Sequence, residues 1–293
     1  MNELTEPSRR LIDHIRSLGP VVIAFSGGVD SSVVAAAAVQ SRQRSADSSE
    51  FDSTDRCLAV TARSPSLASW QADLATRVAD EIEIEHRFVW TDEQTREEYR
   101  RNDSDRCFYC KATLYEFLQP IASERDAVIL SGTNADDLGD HRPGIQAGRD
   151  ANVRTPLADL NLTKSDVRSI AHELGLSNAD LPASPCLASR IEYQVEVTPE
   201  RLSRIDAAES WLRHHDLPDL RVRLHSGDLA RIEVPRNCFQ RLIEIESDQS
   251  LTRTFRQLGF RNVTLDLIGL RSGSMNEGLV QINSHSNQMR ANP

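Results

Sequence analysis

The sequence predicts an α/β protein: a doubly wound parallel sheet followed by a smaller C-terminal α+β domain. Three observations carry this. Short, continuous apolar runs at Val21 to Phe25, at CLAVTA from Cys57 and at AVIL from Ala127 have the composition of strands buried on both faces. Stretches with helical spacing alternate with them, as strand–helix–strand units of a parallel sheet require. Polar loops follow the runs, at the carboxyl edge where open α/β sheets bind ligands.

The elements follow in order. Residues 8 to 18 read as a first helix. Val21 to Phe25 is a strand, and Ser31 to Val39 is an Ala/Val helix behind the turn FSGGVDSSV. Residues 40 to 56 are polar and aperiodic, as in a surface loop. The strand CLAVTA leads to a helix over 65–80, with Leu67, Trp70, Leu74 and Val78 at helical spacing. A strand over Glu83 to Val89, an acidic helical stretch near 92–101, a helix after Cys110 and the strand AVIL come next. Thr163 with Asp166 three residues on reads as a capping-box-like start for a helix over 163–174. Around residue 190 the character changes. A helix from TPERL, short strands RVRLH and ARIEVP around the turn Ser226-Gly227-Asp228, a helical stretch and the strand NVTLDLIGL make a small α+β domain. The expected boundaries are 1–188, 189–278 and a polar tail over 279–293.

The chain has 293 residues, 39% hydrophobic and 27% charged, with a net charge of -10, the composition of a soluble globular protein. That charge disfavours a large nucleic-acid partner. No apolar run approaches the ~20 residues that span a bilayer, so no membrane partner is expected. The N-terminus lacks a basic-then-apolar signal pattern, so a cytoplasmic location is expected. Lys111 and Lys164 are the only lysines. Five cysteines, an odd number, argue against a disulfide framework; Cys57 and Cys238 read as structural.

The turn Ser26-Gly27-Gly28-Val29-Asp30-Ser31-Ser32 joins a buried strand to a helix. Backbone N–H groups and the positive end of the helix dipole make such a turn an anion cradle. It lacks the Gly-Lys-Ser/Thr of a Walker A loop and the GxGxxG of dinucleotide-binding folds. Thr61, Ala62 and Arg63 lie at the end of the second strand. The loop from Ser131 offers Gly132, Thr133 and Asn134, then Asp136, Asp137 and Asp140, and carboxylates beside phosphates suit Mg²⁺. Cys107 and Cys110 form a CxxC pair followed by Lys111, and a third cysteine, Cys186, lies in PCLASR. Three thiolates admit a site-differentiated [4Fe–4S] cluster or, with a histidine, three-ligand zinc.

SGGVDS resembles the PP-loop, SGGxDS, of ATP-pyrophosphatases, whose fold is of the adenine nucleotide alpha hydrolase-like type. These enzymes adenylate a carbonyl oxygen and release pyrophosphate. The segment GTNADD is similar to the GTNxDD of amidotransferase-type synthetases. Together with RCFYCK, SPCLASRI, RVRLH and LIGLRSGSMNE, these motifs resemble the LarE family of ATP-dependent sulfur transferases, over about residues 8 to 278. The resemblance implies ATP and Mg²⁺ as cofactors. It implies adenylation of a pyridinium-3,5-dicarboxylate mononucleotide, whose carboxylates become thiocarboxylates of the nickel-pincer cofactor of lactate racemase. It further implies a symmetric oligomer, a hexamer.

Within that family some members sacrifice the sulfur of a cysteine, at the position Cys186 matches. Others carry three cysteines and a [4Fe–4S] cluster that delivers sulfide from an outside source, and Cys107 and Cys110 match their extra pair. The cluster type is favoured. The nucleotide would meet Ser26 to Ser32, Thr61 to Arg63, Lys111, Gly132, Thr133, Asn134 and Asp137, with Asp136 and Asp137 on Mg²⁺ and Asp30 catalytic. Arg221 and Arg223 alternate along one strand face and suit the substrate phosphate, with Ser189, Arg190 and Glu209 beside them. A tRNA-thiolating PP-loop enzyme, a glutamine- or ammonia-dependent synthetase and a nucleotide-binding module without turnover are the alternatives.

Overall fold

In the computed structural model the described residues are 4–43, 57–139, 143–248, 250–271 and 273–275. Asp140, most of the polar 40–56 stretch and the tail over 279–293 lie outside them. The chain forms two compact units, one of Met1–Tyr99 and Ser104–Pro185, the other of Arg100–Asp103 and Cys186–Pro293.

The first unit is a four-stranded parallel sheet ordered β3-β2-β1-β4. Its strands are β1 (Val21–Ala24), β2 (Cys57–Arg63), β3 (Glu85–Trp90) and β4 (Val128–Leu130). The helices are α1 (Glu6–Ser17), α2 (Val29–Gln43), α3 (Ser69–Ile82), α4 (Glu97–Arg100, whose last residue belongs to the second unit), α5 (Arg106–Glu124), α6 (Pro143–Asp150), α7 (Pro156–Asp159) and α8 (Lys164–Glu173). Alternation along β1 fills both faces. Val21 and Ile23 join a core with Leu11 and Ile15 of α1, Val33 and Ala37 of α2, Val78 of α3 and Val167 of α8. Val22 joins the other core with Leu58, Val60, Leu114 and Leu118. Full burial of each such side chain is worth about 1.5–3 kcal/mol.

The observed elements shift several expected boundaries, each for a local reason. The helix expected over 65–80 starts at Ser69, because residues 64–68 form a turn. In that turn the hydroxyls of Ser64 and Ser66 bind the buried Glu93 carboxylate at 2.5 and 2.9 Å. Glu83, expected in a strand, is the left-handed cap of α3 at φ 59. The helix placed after Cys110 begins at Arg106 and includes both cysteines of the CxxC pair. The acidic stretch is a 3₁₀ turn over Glu93–Thr95 and the short α4. The capping box of α8 forms in both directions between Thr163 and Asp166.

The second unit holds a three-stranded sheet ordered β5-β6-β7, with β5 (Arg221–His225), β6 (Leu229–Glu233) and β7 (Asn262–Leu265). The β5–β6 pair is antiparallel and turns at Ser226–Asp228, where Gly227 takes φ +71. α9 (Pro199–Arg213) precedes β5, with Thr198 accepting the Arg201 N–H and Pro199 in the first turn. α10 (Phe239–Ser247) and α11 (Ser250–Gln257) replace the single helical stretch expected there and bring β7 parallel to β6.

Candidate active site

Ser26 to Gly28 lie between β1 and the first turn of α2, so the helix N-terminus faces whatever the loop holds. The loop is tightly tied. Ser31 Oγ accepts from the Ser26 N–H at 3.2 Å and donates to the Gly28 carbonyl at 3.0 Å, and Ser32 Oγ donates to the same carbonyl at 2.9 Å. Gly27 sits at φ +71, and a Cβ there would lie 2.8 Å from Ala75 Cα. Close packing and backbone conformation both demand glycine. Gly132, on the loop after β4, is similarly fixed, since a Cβ there would lie 2.7 Å from the Ser31 nitrogen.

The β4 loop brings its carboxylates to the same place. Asn134 Nδ2 donates to Asp30 Oδ1 at 2.8 Å. Asp137 takes Lys164 at 3.3 Å, and its charge acts on Asp30. Burial, with a smaller push from Asp137, holds the Asp30 carboxyl above its ordinary pKa, although Asn134 works the other way. Two neighbouring carboxylates beside a phosphate cradle, with Asp137 raising the cost of charge on Asp30, fit a hard divalent cation. Asp136, expected on that cation as well, also meets the start of α8. Its Oδ2 accepts the Lys164 backbone N–H at 2.7 Å, so it caps α8.

At the end of β2, Thr61 is buried and shares a 2.8 Å hydrogen bond with His86 Nε2. Burial lowers the His86 pKa. Arg63 lies over the Phe88 and Trp90 rings at 5.4 and 5.1 Å, with Ala62 half-buried between Thr61 and Arg63. Lys111 packs its stem against Gly144 of α6.

All five cysteines are thiols. Burial pushes the Cys57 thiol up to about 12, which fits its core position in β2. Cys238 ends the 3₁₀ turn before α10. Cys107 and Cys110 share the first turns of α5 at i, i+3, one exposed and the other half-buried. Cys186, half-buried, opens the second unit just ahead of a 3₁₀ turn over Leu187–Arg190. The CxxC pair and Cys186 therefore come from different units. Among the described residues no group of three or more His, Cys, Asp or Glu side chains is arranged to hold a metal ion.

The second unit gathers all five residues expected near the substrate phosphate, and it orders them by burial. Arg190 and Glu209 are both 0% exposed and pair at 3.0 Å. Burial opposes the Glu209 charge, but Arg190 and then Arg213 overcome it and hold the carboxyl below its ordinary range. Arg190 Nη1 donates to the Cys186 carbonyl at 2.9 Å, as does Ser189 Oγ at 2.7 Å. Arg223 pairs with Glu233 at 2.9 Å and donates to the Ser189 carbonyl at 3.1 Å. Arg190 and Arg223 thus brace the Cys186 loop, and Glu209 orients Arg190 and Arg213. Arg221 differs. It is half-buried on the same strand, and burial and the Arg190 charge lower its pKa to about 10.

Several residues at these places escaped the sequence reading. Glu93, His86 and Asn178 carry no motif. Glu233, which pairs with Arg223 and Arg231, could have been found from the Arg-x-Glu alternation of RIEV; Asp266, which pairs with Arg231 and Arg271, carries no such signal.

Comparison with known proteins agrees with this geometry. The asparagine synthase family model matches residues 10–227. An uncharacterised protein of Synechocystis is 40% identical over 265 residues, 90% of this chain and 94% of its own length. The pyridinium-3,5-bisthiocarboxylic acid mononucleotide synthase of Lactiplantibacillus plantarum is 33% identical over 282 residues, 96% of this chain and 98% of its own. An uncharacterised protein of Methanocaldococcus jannaschii is 28% identical over 253 residues, covering 86% and 91%. With an ATP-pyrophosphatase loop on a parallel sheet and a near-full-length match to that synthase, the chain belongs to the LarE family of PP-loop ATP-dependent sulfur transferases.

Proposed function

We propose that this enzyme uses ATP to adenylate the carboxylates of pyridinium-3,5-biscarboxylic acid mononucleotide and replaces AMP with sulfur, leaving thiocarboxylates. A carboxylate is a poor electrophile; adenylation supplies AMP as the leaving group, and the attacking sulfur takes its place. The loop from Ser26 to Ser32 holds the phosphates, with Thr61 to Arg63 toward the adenosine. Gly132 to Asn134 and Lys111 assist, and Asp30 and Asp137 hold Mg²⁺. The observation that carries the reading is the setting of Cys186, whose carbonyl is bound by a buried arginine of an arginine-rich network. Among the described residues that network sets Arg190, Arg213, Arg221, Arg223, Arg231 and Arg271 against Glu209, Glu233 and Asp266. In a chain of net charge -10, a local cationic excess around the Cys186 backbone favours an anionic substrate there. Arg221 is the phosphate contact; Ser189, Arg190, Glu209 and Arg223 hold the loop around it.

Thiolate donors on a helix turn and a separate loop suit iron–sulfur chemistry better than hard-ion binding. Cys107, Cys110 and Cys186 would hold a [4Fe–4S] cluster, which when bound supplies a reactive sulfide. The same reading places the enzyme in the cytoplasm as a homohexamer fed by an outside sulfide source. Iron and sulfide analysis of anaerobically purified protein tests the assignment, together with intact mass before and after turnover. Iron retained by all three cysteines and an unchanged mass support it. A loss of about 34 Da at Cys186, through thiolate chemistry, would instead make that residue the sulfur donor.

A further inference from the structure

Asn178 belongs to no motif, yet it sits under the phosphate loop. It lies in the segment after α8 and is 4% exposed. Its Nδ2 donates to the Gly27 carbonyl at 2.8 Å and to Ser32 Oγ at 2.9 Å. Its own Oδ1 is buried with no hydrogen-bond partner among the described residues. A buried amide that satisfies the loop while leaving its oxygen orphaned is costly, and such costs persist where the other end has a task.

The peptide between Gly27 and Gly28 gives that task. A trans peptide is planar, so its C=O and N–H point in opposite directions. With the Gly27 carbonyl turned inward onto Asn178, the Gly28 N–H points away, to the side where the exposed Ser26 hydroxyl accepts it at 3.3 Å. Two successive glycines impose little barrier of their own to rotating this peptide. Ala75 packs Gly27 from one side. The segment is anchored a second time, since Gln71 Nε2 of α3 donates to the Ser184 carbonyl at 2.8 Å.

We propose that Asn178 is a positioning residue for the ATP phosphates, fixing the Gly27–Gly28 peptide so that the Gly28 N–H faces them. This rests on the ATP reading of the loop above. Asn178→Asp keeps the shape but sets a carboxylate oxygen against the Gly27 carbonyl, and Asn178→Ser keeps a donor. Titration calorimetry with magnesium pyrophosphate and with adenosine separates phosphate binding from the rest of the nucleotide. Asn178→Asp should weaken pyrophosphate at least ~10-fold and change adenosine by less than ~2-fold, the scale of one or two lost hydrogen bonds. Parallel losses for both probes, or wild-type pyrophosphate affinity in a folded variant, would overturn the proposal. Should Asn178→Asp not fold, Asn178→Ser must bind pyrophosphate more tightly than Asn178→Ala, and equality overturns it. A wild-type protein that binds no pyrophosphate and releases none from ATP overturns the ATP reading, and this proposal with it.

Discussion

Asp30 combines a functional requirement with a cost to the fold. Burial and the Asp137 charge raise its pKa. A carboxyl whose folded pKa lies above its unfolded value favours the native state at low pH and opposes it once ionised. Asp30→Asn should therefore raise the thermal midpoint of the metal-free protein at pH 7 while abolishing pyrophosphate release. A midpoint equal to or below wild type would refute the electrostatic account. Mg²⁺ affinity of the metal-free wild type should fall on acidification through a midpoint above 3.8, the ordinary value for this carboxyl, as titration calorimetry would read. Arg221 is the corresponding residue in the second unit. Losing one charge-assisted phosphate contact costs about 1.5–3 kcal/mol, or roughly 10- to 150-fold in affinity. Arg221→Ala should raise KM for the mononucleotide on that scale and leave KM for ATP unchanged, as steady-state kinetics would read.

Among the elements, the first turn of α2 and the loop after β4 meet through glycine. A Cβ on Gly132 would lie 2.7 Å from the Ser31 nitrogen and 2.9 Å from the Asp30 carbonyl carbon, both backbone atoms that cannot swing aside. Gly132→Ala should push the β4 loop off the first turn of α2 and weaken ATP binding far more than it lowers the melting temperature, as titration and calorimetry together would test. The loop at Cys186 rests instead on α9 and β5. Glu209 ties Arg190, Arg213 and the Val222 N–H together. Removing its carboxylate leaves Arg190 buried without its counter-charge, which typically costs about 3–5 kcal/mol. Glu209→Ala should lower the denaturant midpoint of the second unit accordingly. The Glu209 pKa is depressed, so the pair's contribution is present above the unfolded value of 4.5 and is lost as pH falls through the folded one.

For the molecule as a whole, the division of labour follows the two units. The first carries the nucleotide loops and the CxxC pair; the second carries Cys186 and the arginine network. No helix among the described residues is long and apolar enough to cross a membrane. Cys107→Ala and Cys110→Ala leave the PP-loop intact, so both variants should keep wild-type affinity for magnesium pyrophosphate. Under the cluster assignment each should lose most bound iron and all multiple turnover. Full iron content in either variant, or undiminished multiple turnover, would refute it.

The sequence by itself determined what depends on near neighbours along the chain. Apolar runs of four to seven residues set β1 and β2, Thr163 and Asp166 set the start of α8, and two glycines before a helix set the anion cradle. Arg221 and Arg223 were legible on one strand because strand alternation is local. Tertiary structure decided the partners of each side chain. Asn134 reaches Asp30 across 104 residues because β4 pairs with β1, and Asn178 reaches Gly27 across 151. No local pattern encodes those distances. Burial likewise separated residues that look alike in sequence. Arg190 and Arg223 pair with carboxylates inside the second unit, while Arg221, half-buried, donates to the Leu220 carbonyl. A buried guanidinium must find its counter-charge, and only the fold determines which arginines are buried.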